Sequence, residues 1–552
     1  MIPGPLPPIR RIFAVVPAIW LAIAILAAGS AAADDQVPTA DALKARIEGT
    51  DPLTAAGMTL DRTMLTAGYQ QRGYEPVWAE HPELVSGLLA ALAAADREGL
   101  DPESFRLSAL KTALDDTMLA PLDREMLLSD RFLAYASALA RGRVAASSVY
   151  DDWFLAQPDF DASLALQRLG GGDAVDAVLQ SLLPRDAQYD RVRKALQRYE
   201  ALAQAGGWQQ MPALGKTEKI EPGAKGDTIV ALRARLLVEG DLASEFSDGA
   251  VYDPPLVDAV KRFQARHGIL VDGRIGANTI TALNVTAEDR AAQLRLALER
   301  LRSLPRDYPS TRIMVNVPAE SLMLYRDDVP VLASKVVVGA TEHPTPVLSA
   351  RAVSVLFNPP WNVPVSIIRK EMQPELRRDA SYFANHHYVI LGRSDGADPY
   401  GQDLDWRHTD IPSRGWHVQQ EPGPWNALGG VKLELPNPED IYLHDTPARN
   451  LFLRAARAAS HGCIRVEQAR ILASTLLGGD WTPKAIDAAI AAGETKRVYL
   501  KQSVPVYIIY LSAFVDDDGT IEFRDDLYGR DRRLAQALLT LQAGAPQNAV
   551  HG

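Results

Sequence analysis

The sequence predicts a multidomain α+β protein: a helical N-terminal scaffold, a small three-helix module and a β-rich C-terminal domain that carries an insert. Three observations lead there. Alanine and leucine recur at helical spacing from Asp41 to Arg198. A compact unit of apolar helix faces and turn glycines follows between residues 226 and 284. After Tyr308 the texture changes to short β-branched runs separated by turn residues, the pattern of strands. At 552 residues the chain is also too long for a single hydrophobic core.

The first element is an address. Arg10 and Arg11 precede an apolar run from Ile12 to Ala28, small residues through Ala33, and then Asp34 and Asp35. A positive flank, an apolar stretch and a small-residue site predict a secretory signal over residues 1–33, cleaved near Ala33. Left uncleaved, the same run is long enough for a single membrane anchor. No cysteine follows it to accept a lipid, and no later segment has the length and apolarity of a span. The net charge is −11 with no basic tract, which points away from nucleic acid.

The helical scaffold is expected over residues 34–210, with capping signals such as Asp101-Pro102-Glu103-Ser104. Its aromatics Tyr69, Tyr74 and Trp78 read as core. The Gly/Pro/Lys/Glu stretch from Gly215 to Gly226 reads as a linker. The three-helix module spans 223–286. Leu232, Leu236 and Leu237 give one helical face, and Val257, Val260 and Phe263 a second. The run Phe263-Gln264-Ala265-Arg266-His267-Gly268 then leads to the tight turn Asp272-Gly273. His267, alone beside a helix end, reads as structural.

The C-terminal domain is expected over 305–545. Strands are predicted at Ile313–Val317, Leu322–Tyr325, Lys335–Gly339, Arg351–Phe357, Arg497–Leu500 and Val504–Tyr510, with helices at Pro447–Ala458 and Glu467–Leu477. The insert, about 365–423, has few strand patterns. Its Tyr382, Phe383, Tyr388, Trp406 and Trp416 serve either a small core of its own or a substrate. The histidines His386, His387, His408 and His417 fit no metal-ligand spacing, and no cofactor or metal is expected.

The sharpest chemical signal is the only cysteine, Cys463, inside Ser460-His461-Gly462-Cys463-Ile464-Arg465. One cysteine has no internal disulfide partner, so in an exported protein it is either a buried inert thiol or a reactive one. The hydroxyl, imidazole, glycine and guanidinium around it favour a nucleophile. A second signal is Asp440-Ile441-Tyr442-Leu443-His444-Asp445. Read as a strand, it puts Tyr442 and His444 on one face and Ile441 and Leu443 in the core. A thiol needs a nearby base at neutral pH, and His444 is the candidate.

These motifs resemble two known families. The module's FQ…DG…G…T…L pattern resembles the type-1 peptidoglycan-binding module. The His444/Ser460–Arg465 constellation resembles the YkuD-like L,D-transpeptidase catalytic domain. Pro359-Pro360-Trp361-Asn362-Val363-Pro364, the run Pro422–Gly429 and the tail Asp526-Leu527-Tyr528-Gly529-Arg530-Asp531 resemble its long YcbB-type branch, so nearly the whole mature chain is covered. The resemblance implies a periplasmic, cell-wall enzyme. Cys463 is the nucleophile and His444 the general base, oriented by a nearby backbone carbonyl or by Asp445. Gly462 and Cys463 N–H groups form an oxyanion hole, and Tyr442 and His461 make further oxyanion or amine contacts. Ser460 and Arg465 support the turn. That branch can carry serine where this chain has His461, which weakens a base role for His461. The implied partners are peptidoglycan tetrapeptide stems, with other cell-wall synthesis proteins as further candidates. The implied reaction is 3→3 crosslinking through a thioacyl enzyme sensitive to carbapenems, with the insert as a lid. Transfer to water, transfer to a protein lysine, and a silent wall-binding scaffold are the alternatives.

Overall fold

The computed structural model describes residues 37–542 apart from 216–217, 247 and 395. The expected export segment lies outside the described residues. Among those described, no helix is long and apolar enough to cross a membrane.

The N-terminal helices wrap around Pro121–Arg141, whose residues from Glu125 to Ala140 are buried with few exceptions, the signature of a central helix. Asp61 and Asp161 cap neighbouring helices by accepting backbone N–H groups at 2.9 Å. Tyr69, Tyr74 and Trp78 lie in this core. The Tyr69 hydroxyl donates to the buried Glu125 carboxylate at 2.6 Å, and the Val77 and Trp78 N–H groups donate to it as well, so this deep carboxylate is satisfied. Not all of the helical stretch belongs to this core. Tyr150, Trp153 and the helix Ala187–Gln204 pack instead, with the helix Ala287–Arg302, against the C-terminal domain.

The small module consists of helices Asp227–Glu239, Pro254–Arg266 and Ala277–Leu283 around Leu232, Leu236, Val260 and Phe263. Gln264 shapes its turn. The Gln264 side-chain oxygen accepts the N–H groups of Asp272 and Gly273, and its amide donates to the Arg274 carbonyl at 2.8 Å. Gly273 sits at φ +68°, where a side chain would be strained. His267 is structural: its ring stacks on Phe263 and Phe523, and Nδ1 meets the Phe263 carbonyl at 2.8 Å. Burial pushes its pKa well below the usual value.

Buried charges hold the module against the rest of the protein. Glu239 receives the Tyr199 hydroxyl at 2.6 Å and the Arg266 guanidinium at 2.8 Å, and it pairs with Arg235, which lies 3.6 Å over the Trp208 ring. Burial raises the Glu239 pKa, but Arg266 and Arg235 outweigh it and hold the carboxyl at about 2.

The C-terminal domain is a barrel. Its strands are Arg312–Asn316 (β1), Ser321–Arg326 (β2), Val329–Gly339 (β3), Leu348–Phe357 (β4), Val431–Glu434 (β5), Leu443–His444 (β6), Ala458–Ser460 (β7), Ile464–Val466 (β8) and Lys496–Ile509 (β9). They run in the order β7-β3-β8-β6-β5-β4-β9-β1-β2, and β2 pairs back to β3, closing the sheet. Closure leaves few open edges. The two strands expected near 497–510 are one long strand with a register shift between Tyr499 and Val504. The helix expected at Pro447–Ala458 is only a 3₁₀ turn, Arg449–Leu453. That turn buries Phe452 alone, too little to stabilise an amphipathic helix. The insert has more strand than its sequence suggests, and its sheet takes in residues before the expected bound near 365: Trp361–Asn362, Tyr388–Leu391 and His417–Gln420 form three strands. Phe383, Tyr388 and Trp406 make its core, with Tyr382 and Trp416 packed against it.

Two outcomes follow from the Glu239 network. Glu239→Ala leaves the buried Arg235 without a carboxylate and Arg266 with Asp241 alone, and lowers stability by about 3–5 kcal/mol, measured by urea denaturation. In Glu239→Gln the acid side of the stability profile flattens. The native carboxyl at about 2 lies below its unfolded value, so its contribution is present above the unfolded pKa and disappears as pH falls toward 2. An unchanged profile in the Gln variant refutes this role.

Candidate active site

Three strand registers assemble the site. β6 and β8 are parallel, with Leu443 beside Ile464 and His444 beside Arg465. β5 runs antiparallel to β6, with Lys432 opposite His444. Residues in register share a face, and so do residues two apart. Lys432, His444 and Arg465 therefore form a row, and Tyr442 and Cys463 lie beside it on the same side. The 3₁₀ turn and β7 fill the nineteen-residue separation between His444 and Cys463.

The strand predicted over Asp440–Asp445 shrinks to Leu443–His444, because Asp440 takes φ +52° and leaves the ladder. The alternation survives: Ile441 and Leu443 are buried in the barrel core, and Tyr442 is half-buried. Asn437 ties this turn, accepting the Ile441 N–H and donating to the Ile441 carbonyl at 2.7 Å.

Cys463 is half-buried. Its thiol donates to the Asp440 carbonyl at 3.7 Å, and not to the His444 ring. Burial raises the thiol pKa. Hydrogen bonds from the Tyr442 N–H and phenol and the Lys432 charge offset part of that rise, while Asp440 adds to it. The Tyr442 phenol is itself pushed up, by burial and then by Cys463, and it accepts a hydrogen bond from the Trp361 indole of the insert. It is a donor toward sulfur across the physiological range. Lys432 lies 4.0 Å over the Tyr442 ring, and burial lowers its pKa.

His444 is buried, with Nδ1 at 2.6 Å from the Asp445 carbonyl oxygen. Burial, then the Arg465 guanidinium, bring its pKa down to about 3, and the Asp445 and Leu428 carbonyls restore only part of the loss. With Nδ1 donating to that carbonyl, Nε2 remains as the proton acceptor. Of the two orienting groups left open by the sequence, the backbone carbonyl makes the contact. The Asp445 carboxylate turns away to the Gly430 N–H and Arg449, both at 3.3 Å.

The other residues of the motif have distinct places. Ser460 is buried, donates to the Cys463 carbonyl at 2.5 Å and accepts the Gly462 N–H at 3.2 Å, so it ties the turn. That bond occupies the Gly462 N–H expected in an oxyanion hole. Glycine is required at 462 because φ is +109°; a Cβ there would meet nothing closer than 3.7 Å, so close substrate approach is not the reason. The Gly462 carbonyl accepts the Thr345 hydroxyl at 2.7 Å. His461 is exposed, pairs through Nε2 with Glu371 of the insert at 2.6 Å and packs on the His343 ring. Arg465 makes no ion pair among the described residues, and its Nε is buried without a partner. Burial lowers its pKa while Cys463 counteracts.

The sequence reading missed Lys432, the Asp440 carbonyl, Thr345 and Glu371 of the insert, and it quoted Trp361 only as part of the Pro359–Pro364 run, with no place in the site. Only Lys432 left a signal, as a polar residue between apolar Val431 and Leu433 on a strand. The rest depend on contacts between distant segments. Among the insert histidines, His386 Nδ1 meets the Tyr382 carbonyl, His387 stacks on Trp425, and His408 Nδ1 pairs with Asp405. A large cleft, about 920 Å³, lies on the Asp445 side and is lined by Gly429, Gly430, Arg449 and Arg470. Its walls include neither Cys463 nor His444, so the site is defined by its chemistry and not by that cleft.

Comparison with known proteins agrees with this division. Residues 63–196 match a scaffold domain, 225–283 a "Putative peptidoglycan binding domain", and 310–500 the YkuD "L,D-transpeptidase catalytic domain". A Haemophilus influenzae protein named "Putative L,D-transpeptidase" is 37% identical over 246 residues, 44% of this chain and 48% of that protein. The chain thus spans about half the length of the curated relative it matches. Two solved L,D-transpeptidases are similar at low identity. The one from Xylanimonas cellulosilytica is 15% identical, covering 55% of this chain and 98% of its own, with a TM-score of 0.19. The one from Stackebrandtia nassauensis is 13% identical, covering 54% and 97%, with a TM-score of 0.22. The chain thus carries a YkuD L,D-transpeptidase catalytic domain, joined to a peptidoglycan-binding domain and a helical scaffold.

A half-buried thiol with a raised pKa and an imidazole at about 3 are both neutral at rest. Alkylation of Cys463 by iodoacetamide therefore accelerates only as pH rises past about 8.5, the free-thiol value, with no step between about pH 5 and 8. A plateau beginning near pH 6 in the rate profile, as in a thiolate–imidazolium pair, contradicts this.

Proposed function

We propose that this protein is a cysteine-dependent L,D-transpeptidase that forms 3→3 crosslinks in peptidoglycan. One observation carries the reading: within the region that matches the catalytic domain, the Cys463 sulfur faces the Tyr442 donors on the barrel face that holds a neutral, carbonyl-oriented His444.

In the first half-reaction Sγ attacks the carbonyl at the L-centre of diaminopimelate in a donor tetrapeptide. His444 takes the thiol proton as the S–H turns away from Asp440. The tetrahedral oxyanion collapses, the C–N bond breaks, and the proton passes to the departing D-Ala amine. In the second half-reaction a side-chain amine of another stem attacks the thioester, loses a proton to His444 and expels the thiolate, which recovers that proton. Tyr442 donates to sulfur throughout. Lys432 and Arg465, two cations without an ion pair among the described residues, suit the carboxylates of the stem.

The insert supports an amine acceptor over water. Trp361 reaches Tyr442 and Glu371 reaches His461, so the insert spans the nucleophile turn as a lid. A lid that excludes water protects a thioester from hydrolysis. The peptidoglycan-binding domain supports a wall substrate, and with the N-terminal export segment it supports a periplasmic location. Acylation of Cys463 by carbapenems belongs to the same reading.

The test is incubation of the mature protein with disaccharide-tetrapeptides, read by mass spectrometry. A crosslinked dimer with one D-Ala released is expected, and none from Cys463→Ala. Tripeptide as the sole product indicates a carboxypeptidase instead, and activity retained in Cys463→Ala refutes the mechanism.

A further inference from the structure

We propose that Thr345 is a positioning residue that aims the Cys463 N–H at the oxyanion, and that the C-terminal Asp526–Asp531 segment holds Thr345 in place. The inference deepens the acyl-transfer reading above and rests on it.

The Gly462–Cys463 peptide carries the argument. Thr345 is fully buried, and its hydroxyl donates to the Gly462 carbonyl at 2.7 Å while accepting the Gly339 N–H at 2.9 Å. Both hydroxyl functions are used, so its orientation is fixed. A peptide is planar and trans, with C=O and N–H pointing in opposite directions. Pinning the Gly462 carbonyl down toward Thr345 therefore turns the Cys463 N–H up, away from the 343–345 loop. That N–H has no acceptor among the described residues. The preceding donor, Gly462 N–H, is committed to Ser460. The Cys463 N–H is thus the donor this turn leaves for an oxyanion, and Thr345 sets its direction.

The φ of +109° at Gly462 makes such a brace necessary, because glycine has no side chain to hold that peptide. The loop below is packed without slack. A Cβ on Gly339 would lie 2.1 Å from the His343 carbonyl oxygen and 2.7 Å from the Thr345 nitrogen.

Thr345 is in turn held by distant segments. Its N–H donates to the Tyr528 hydroxyl at 3.2 Å, and that hydroxyl donates to the Gly339 carbonyl at 2.6 Å. Its carbonyl accepts from Arg530 at 3.4 Å. Arg530 is fully buried among the rings of Tyr150, Tyr510 and Tyr528 and pairs with Asp152. Tyr150 closes the set by donating to the Arg530 carbonyl at 2.7 Å. Segments near residues 150, 345 and 528 thus converge beneath the nucleophile turn.

The test separates oxyanion stabilisation from thiol reactivity on the full mature chain. Acylation by p-nitrophenyl acetate forms the S–C bond, breaks the aryl C–O bond and releases p-nitrophenolate, and it passes through an oxyanion. Alkylation by iodoacetamide attacks the same sulfur with no oxyanion. Thr345→Val, close in shape but without the hydroxyl, should slow acylation by about 10²-fold and leave the alkylation rate and its pH profile unchanged. Thr345→Ser should restore acylation. Tyr528→Phe, which keeps the Thr345 hydroxyl but loosens its support, should slow acylation less and leave alkylation unchanged. The proposal is overturned if Thr345→Val acylates at the wild-type rate. It is equally overturned if acylation and alkylation fall together in both variants, which marks general disruption of the turn. Wild-type protein that ignores tetrapeptides yet shows this split overturns the transpeptidase reading and leaves the role of Thr345 standing.

Discussion

The parallel register of β6 against β8 is the constraint on which the site depends. It places His444 beside Arg465, and so places Cys463, two residues earlier, at the end of the same row. A slip of one residue would send His444 to the opposite face and separate base from nucleophile. β6 itself is only two residues long, so its own ladder cannot hold that register. The neighbours do: β5 on one side, β3 beyond β8 on the other, and a sheet closed on itself.

Burial then decides the chemistry. The site removes both reacting groups from water, and each is pushed toward its neutral form: the thiol up, the imidazole down. On the proposed mechanism, a neutral resting cysteine is a poor nucleophile until substrate displaces the Asp440 contact and brings the S–H to Nε2. Protection from adventitious oxidation follows from the same arrangement, since the thiolate is the reactive species. The half-buried Lys432 and the Tyr442 donors keep the thiolate accessible once it forms.

The domains around the barrel are part of its construction. Helices from the N-terminal half share the barrel's core, and the binding module is docked where Tyr199 donates to Glu239 and Arg235 lies over Trp208, while Arg235 and Arg266 pair with Glu239 inside the module. A buried charge network of this kind contributes orientation more than net stability, because desolvation offsets much of the Coulomb attraction. Arg524, which donates to the Arg266 carbonyl at 2.8 Å, links the module to the barrel domain.

Much of this was legible in the residues alone. Composition and periodicity determined the α-then-β order, the Asp272-Gly273 turn of the module, the core role of Tyr69 and Trp78, and the shared face of Tyr442 and His444. Those features arise from local preferences and from alternation along one segment, which a linear reading captures. The failures share a cause as well. The Pro447–Ala458 segment has helical composition but buries one side chain, and the insert's strands are too short to declare themselves without partners. The Gly462 N–H looked free until Ser460, two residues away, folded onto it. Which carbonyl orients His444, where the thiol proton rests, and how Thr345 and Tyr528 support the nucleophile turn were decided only by tertiary structure. They range from the carbonyl of the next residue, at His444, to a contact between segments 189 residues apart, at Tyr528. The direction of a hydrogen bond and the loss of water around a charge belong to the folded arrangement and leave no pattern along the chain.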